Sequence, residues 1–204
     1  MFSNHRRAGI ALLLGTLLGG GAGAHDAGQH QGAAPAPGAV TLRGLDTTLL
    51  DQDGRAVHVG RDVIGKKIVV VGFVYTACTT VCPMTSAMLA ELQARLGDRV
   101  GRDVQLVTVT VDPLRDTPAR LKAYAAKFNA KAGWTWLSGS PVAVNDLLKG
   151  MGAYSADFTQ HPQMVLVGDA ASGHWTRFSG LPDPARLAEH VRRLDEQRIA
   201  AKGG

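Results

Sequence analysis

Cysteine is scarce in this sequence, which has two cysteines among its 204 residues. Two are too few for a small scaffold held together by disulfides, and a chain of this length does not need one. They are also too few for a zinc or iron–sulfur site with four thiolate ligands. Because 45% of the residues are hydrophobic, the chain can fill a core, which excludes wholesale disorder and fibrous repeats.

Long runs of like charge are missing as well. The formal net charge is +5, but the sequence has no block of five or more like charges and no basic stripe interleaved with aromatic residues. We therefore expect no binding to nucleic acid. No internal repeat of roughly 20 to 50 residues is evident, which indicates one domain.

The first 24 residues have the features of a secretory signal peptide. A charged start with Arg6 and Arg7 precedes an apolar run over residues 10–18, and the small residues 22–24 form a cleavage site. We expect cleavage and export to the periplasm or a similar compartment, with an uncleaved anchor in the inner membrane as the alternative. Residues 25–39 predict a flexible leader, and residues 40–199 the folded domain.

Strand and helix patterns alternate from residue 40 onward. Residues 68–75 and 104–111 are continuous apolar runs rich in β-branched residues, as strands buried on both faces require. Helices are predicted to begin near Pro83, at Pro118, at Ala143 and at Pro184. The order predicts a single α/β domain of the thioredoxin-like kind, with a central mixed sheet flanked by helices and an N-terminal β-hairpin.

The two cysteines lie in a short segment directly after the first buried strand, CTTVCP at 78–83. This edge of a sheet is where α/β proteins place their sites. If Cys82 lies in the first turn of a helix, the free N–H groups there favour its thiolate. Both sulfurs can face the same way, so the pair could close a disulfide or bind one soft metal ion. Three interpretations stay open: a structural disulfide, a redox dithiol, and a metal site with a third ligand from elsewhere.

His161 is the best candidate for that third ligand. It precedes the strand predicted at 164–167, which should neighbour the cysteine-bearing strand, so its loop could lie over the thiol loop. The other histidines fall in the signal, in the leader, or at expected surface and packing positions: His5, His25, His30, His58, His174 and His190. We also expect Met84 and Met88 to pack in the helix core rather than to act as soft auxiliary ligands.

Several motifs together resemble the SCO/SenC family. They are Gly65-Lys66 before the apolar strand, YTACTTVCP at 75–83 after it, and VDPLRDTP at 111–118. The match continues to the His161 loop and extends from residue 42 to residue 195. The resemblance implies a thioredoxin-like fold that carries one copper ion, Cu(I) or Cu(II), with Cys78, Cys82 and His161 as its ligands.

The resemblance also implies a function. It indicates an exported metallochaperone, without turnover of its own, that delivers copper to the copper centre of a respiratory oxidase such as cytochrome c oxidase. The implied partners are the oxidase subunit with the copper site, other copper chaperones and a thiol reductant, and we expect a monomer. The alternative is a thiol-disulfide oxidoreductase in which Cys78 and Cys82 are catalytic and keep the client's copper-ligand cysteines reduced. A peroxidase is disfavoured because a Pro-x3-Thr-x2-Cys signature is absent.

Two residues depart from the family's pattern around the candidate histidine. Gln160 and Pro162 flank His161 where members often have Asp and Ser. The missing carboxylate removes a partner that would orient the imidazole, which favours thiol chemistry or a client other than the usual oxidase. In the 111–118 motif either Asp116 or Thr117 can cap the following helix. We favour Asp116 as a cap with Arg115 as its ion-pair partner over a role in docking or metal transfer.

Overall fold

A computed structural model of the chain describes residues 37–203. The predicted signal peptide, and the leader up to residue 36, lie outside the described residues. Residues 38 and 39, which the sequence assigns to the end of the leader, belong to the first strand. Within residues 37–203, no helix combines the length and the apolar character needed to cross a membrane.

Across residues 37–203, eight strands form one mixed sheet. In chain order they are β1 (Gly38–Val40), β2 (Thr48–Asp51), β3 (Ala56–His58), β4 (Ile68–Val74), β5 (Val104–Thr110), β6 (Trp134–Ser138), β7 (Met164–Asp169) and β8 (His174–Ser179). Their order across the sheet is β1-β8-β7-β4-β5-β6-β2-β3. Strands β4, β5 and β6 are parallel, whereas β7 runs antiparallel to β4. The carboxyl ends of β4 and β5 and the start of β7 therefore meet at one edge.

Among the residues that the structure describes, four α-helices cover the sheet on both faces. They are α1 (Val81–Leu96), α2 (Pro118–Ala126), α3 (Pro141–Met151) and α4 (Pro184–Gly203). Helices α1, α2 and α4 contribute to the core on one face, and α3 packs on the other with a π-helical segment at Val59–Ile64. Every residue of β4 and β5 is buried, because helices lie against both sides of these strands.

The pattern-based prediction of the fold is confirmed in its main parts. The two apolar runs are the central strands β4 and β5, the N-terminal hairpin is β2–β3, and β7 pairs directly with the cysteine-bearing strand. Strand β6 was not predicted, although residues 134–138 carry aromatic and β-branched side chains between Gly133 and Gly139. That pattern is typical of a strand and could have revealed it.

Candidate metal and thiol site

The packing of α1 on β4 places the two thiols at the carboxyl edge of the sheet. Gly72, in the middle of β4, faces Leu89 of α1, and a Cβ atom on Gly72 would lie 2.7 Å from Cδ1 of that leucine. The missing side chain lets the helix approach the strand closely. The chain leaves β4 at Val74, passes through a short turn that contains Cys78, and enters α1 at Val81.

The thiol of Cys78 occupies the place that a capping side chain would take at the start of α1. Thr80 is the N-cap residue of this helix, and its side chain makes no capping hydrogen bond. Instead the Cys82 backbone N–H donates to Cys78 Sγ at 3.4 Å. Both cysteines are free thiols; Cys78 is partly exposed, and Cys82 is buried with 1% of its surface accessible.

These surroundings shift the pKa values of the two thiols in opposite directions. Burial opposes ionisation of Cys78, but hydrogen bonds from the Cys82 and Thr80 backbone outweigh it and lower the pKa of Cys78 to about 6. Burial raises the pKa of Cys82 to about 12. The expectation that the helix start favours the Cys82 thiolate is therefore wrong. The amide of Cys82 points at the sulfur of Cys78, and the side chain of Cys82 points into the core.

His161 is buried with its imidazole nitrogens unused. Only 5% of its surface is accessible, and neither Nδ1 nor Nε2 has a hydrogen-bond partner. Burial lowers the pKa of His161, which favours the neutral ring that a metal ion requires. Buried polar groups without partners are rare in folded proteins, so this imidazole is suited to a ligand from outside the chain.

Tyr75 connects the histidine loop to the thiol turn. Its ring meets the His161 ring edge to face at a centroid distance of 6.4 Å, and the Phe158 ring in the same way at 5.1 Å. The guanidinium of Arg115 lies over the Phe158 ring, 5.6 Å from its centroid. No role was predicted for Tyr75, and only its place near the cysteines in the sequence could have suggested one.

The predicted ligands are brought to one edge but not into one coordination sphere. In the described part of the chain, no three His, Cys, Asp or Glu side chains are grouped closely enough to hold a metal ion. Cys78 and Cys82 are in direct contact, while His161 contacts the turn through Tyr75. The donor types nevertheless fit a soft metal, since two thiolates and a neutral imidazole suit Cu(I).

Asp116 does not cap α2, contrary to the expectation from its motif. Thr117 is the N-cap residue, and its hydroxyl accepts from the Arg120 N–H at 3.3 Å. The expected ion pair of Asp116 with Arg115 is also wrong, because Arg115 Nη1 donates to Asp112 Oδ2 at 3.0 Å. Pro118 stands at the first position of the helix, so the residue directly before it is the cap.

The Asp116 carboxylate turns instead toward the ends of β4 and β5. It accepts from the Thr76 N–H at 3.0 Å, from the Thr76 hydroxyl at 2.5 Å and from the Thr110 hydroxyl at 2.6 Å. Asp116 itself is 1% exposed. This arrangement, which was not predicted, links the turn before Cys78 to the neighbouring strand.

The two methionines of α1 differ in their surroundings. Met88 is buried in the core as predicted, whereas Met84 is 54% exposed, so the prediction of core packing is wrong for Met84. Met84 lies two residues after Cys82, and its side chain projects from the solvent-exposed side of α1. Of the remaining described histidines, His174 is exposed on β8 and His190 packs edge to face on Phe178.

Comparisons with known proteins point to one family. A family model described as SCO1/SenC matches residues 41–196. A curated protein of Stutzerimonas stutzeri named "Putative copper-binding protein" is 30% identical over 120 residues, which are 59% of this chain and 55% of that protein. "Protein SenC" of Rhodobacter capsulatus is 30% identical over 152 residues, 71% of this chain and 66% of that protein. The chain thus spans between half and two thirds of these two relatives.

Solved structures agree in fold. The structure of Bradyrhizobium japonicum ScoI with copper bound is 27% identical, with a TM-score of 0.62, and the match covers 72% of this chain and 96% of that one. A SCO1/SenC family lipoprotein from Bacillus anthracis is 26% identical with a TM-score of 0.64, covering 77% of this chain and 97% of that one.

Proposed function

Because the chain belongs to the SCO1/SenC family, we propose that it is an exported copper-binding metallochaperone that delivers copper to the copper centre of a respiratory oxidase, such as cytochrome c oxidase. The observation that carries the proposal is the contrast within one site: a polarised thiol pair beside a buried imidazole whose two nitrogens have no partner. The names of two relatives support it, since one is a putative copper-binding protein and another was solved with copper bound.

The chain's own residues fit the cargo chemically. Cys78 and Cys82 would supply thiolates and His161 a neutral imidazole, a set that holds Cu(I) through soft ligands. The acidic Cys78 is ready to bind, whereas the buried Cys82 must release its proton to the metal. His161 contacts the ring of Tyr75, the residue that begins the thiol turn, so it lies on the side from which a third ligand could reach the pair.

Export is part of the proposal. The charged start, apolar run and small-residue site in the first 24 residues support it. Mass spectrometry of the protein from a periplasmic fraction tests it, with a mature N-terminus at His25 as the expected result. A full-length chain in the cytoplasmic fraction alone would contradict it.

A second candidate function rests on the asymmetry of the thiols. A partly exposed thiolate beside a buried thiol is the arrangement of a thiol-disulfide oxidoreductase. Cys78 would attack a client disulfide, release one client thiolate and form a mixed disulfide. Cys82 would then lose its proton, attack Cys78 Sγ and release the second client thiolate. The protein would be left with a Cys78–Cys82 disulfide and the client reduced by two electrons.

An anaerobic Cu(I) titration of the reduced protein, in competition with a chelator, tests the first candidate. We expect one bound ion, loss of binding in Cys78→Ser and Cys82→Ser, and at least about tenfold weaker binding in His161→Ala, a loss of about 1.4 kcal/mol. His174→Ala is the matched control, since His174 is exposed on β8, and it should bind as the wild type does. Failure of the wild type to compete with a weak chelator would refute the metallochaperone.

The same variants separate the second candidate from the first. Reduction of a disulfide-bonded client peptide should continue in His161→Ala if the protein is an oxidoreductase, because the imidazole has no part in the exchange. Copper binding without any such reduction would reject the oxidoreductase and leave the metallochaperone.

A further inference from the structure

Neither of the usual structural roles of an aspartate near a helix start, capping or ion pairing, applies to Asp116. Thr117 caps α2, and Arg115 pairs with Asp112, so neither capping nor an ion pair explains a carboxylate at this position. The side chain is nevertheless buried, and burying a carboxylate is costly unless its oxygens are well satisfied. Its partners at both oxygens are neutral donors, the Thr76 N–H and the hydroxyls of Thr76 and Thr110.

The orientation of these donors is fixed. The Thr110 hydroxyl oxygen accepts from the Asp112 N–H at 3.0 Å, which leaves its hydrogen for Asp116. The backbone of Asp116 is held as well: its N–H donates to Asp112 O at 2.9 Å, and its carbonyl accepts from the Ser138 hydroxyl at 2.6 Å. The carboxylate is therefore presented from a rigid position between the ends of β5 and β6.

Thr76 connects the Asp116 carboxylate to the turn that carries the sulfur of Cys78. It is the second residue of the turn in which the Cys78 N–H donates to Tyr75 O at 3.2 Å. Two groups of Thr76, its N–H and its hydroxyl, are bound by Asp116, so the turn cannot rotate without breaking both bonds. The same turn aims Cys78 Sγ at the amide of Cys82.

We propose that Asp116 is a positioning residue for the thiol pair: its buried carboxylate fixes the Thr76 turn and thereby sets how closely the sulfurs of Cys78 and Cys82 approach each other. The proposal concerns the same site as the proposed function, and it rests on that function only in requiring that the two thiols react as a pair. Pre-organised groups react as though they were highly concentrated, so loosening the turn weakens any reaction that needs both sulfurs together.

The test is the equilibrium of the metal-free protein with glutathione at pH 7. In this reaction the two thiols give two protons and two electrons to glutathione disulfide. The Cys78–Cys82 bond forms, and glutathione disulfide becomes two molecules of glutathione. Trapping free thiols with a mass label, at a series of glutathione ratios, gives the equilibrium constant for disulfide formation. We expect Asp116→Asn to lower this constant about tenfold, a shift of about 30 mV, because one acceptor oxygen becomes a donor that opposes the threonines.

Matched variants separate positioning from a general loss of structure. Asp112→Asn removes a buried carboxylate four residues away that does not bind Thr76, and it should leave the constant within about twofold of the wild type. Thr76→Val, which lacks the hydroxyl, should lower the constant, and Thr76→Ser, which keeps it, should restore the wild-type value. The Thr76 pair gives an answer even if Asp116→Asn fails to fold.

The outcomes are distinct. A drop in Thr76→Val but not in Thr76→Ser or Asp112→Asn supports the proposal. Equal constants in the two Thr76 variants, or a shift in Asp112→Asn as large as in Asp116→Asn, would overturn it. No copper is present, so failure of the metallochaperone in its titration leaves this comparison intact, and the reverse also holds.

Discussion

The two ends of the central sheet treat their buried polar groups in different ways. At the end where β4 begins, Asp169 is buried and its carboxylate binds the guanidinium of Arg198, and Arg99 bridges Asp103 and Asp195 at 2.6 Å each. We call this the ion-pair end. At the thiol end, where β4 finishes, the buried Asp112 also pairs with Arg115, but the buried Asp116 has neutral partners and the buried His161 has none.

The difference separates stability from function within one sheet. Carboxylates at the ion-pair end find their counter-charges inside the chain, and this arrangement serves the fold. At the thiol end an imidazole is buried at a cost to the fold and without an internal benefit. Groups of that kind mark the place where a ligand or a client completes the structure.

The largest effect that we expect lies within the thiol end, in the reactivity of its two sulfurs. In the reduced, metal-free protein at pH 7, iodoacetamide should modify Cys78 at least about a hundredfold faster than Cys82, since only Cys78 is both ionised and accessible. Timed quenching and peptide mass spectrometry measure the two rates. Below pH 6 the rate at Cys78 should fall with its thiolate fraction. Similar rates at the two sulfurs would contradict the described asymmetry.

At the ion-pair end we expect the free energy of unfolding to depend on pH by about 2 kcal/mol. Burial by itself would raise the pKa of Asp169, but hydrogen bonds from Arg198 and the Ala171 N–H outweigh burial and lower this pKa to about 2. A lowered folded-state pKa gives stability that is complete above the ordinary pKa near 4 and is lost as the pH falls toward 2, here about 2 kcal/mol. Urea unfolding at several pH values measures this loss. Asp169→Asn should lack it, and equal pH slopes for the variant and the wild type would show that the ion pair contributes nothing.

The smallest effect has the opposite sign and belongs to the thiol end. His161→Leu removes two buried nitrogens without partners, and it should raise the unfolding free energy of the metal-free protein by about 1 kcal/mol. Urea unfolding at pH 7 measures the change. Asp169→Leu, the corresponding change at the ion-pair end, should lower stability because it leaves Arg198 unpaired. A loss in both variants would remove the contrast between the two ends.

The central strands and most of the helices of this fold could be predicted from the sequence alone. Continuous apolar runs identified β4 and β5, and Pro118 and Pro184 identified the starts of α2 and α4, because burial on two faces and a missing N–H leave clear local patterns. Helix α3 begins at Pro141, two residues before the predicted start at Ala143. The neighbourhood of β4 and β7 followed from topology. The pairing of β1 with β8 could not be predicted, since three residues carry too little pattern to specify a distant partner.

The residues of the site could be predicted from the sequence, but the orientations of their side chains could not. The spacing of Cys78 and Cys82 placed both at a helix start, but which sulfur meets the amide depends on where each side chain points. Asp116 and Thr117 are both good capping residues, and only the position of Pro118 separates them. The burial of His161 depends on the fold of its loop against Tyr75, which has no local signature.

The hydrogen bond from the Cys82 amide to Cys78 has a further consequence for the start of α1. A proton, a metal ion or a second sulfur bound to Cys78 withdraws charge from its sulfur and so weakens the bond that begins α1. The start of the helix is therefore strongest when the thiolate carries nothing. Anything that binds to Cys78 thus loosens the first turn of α1.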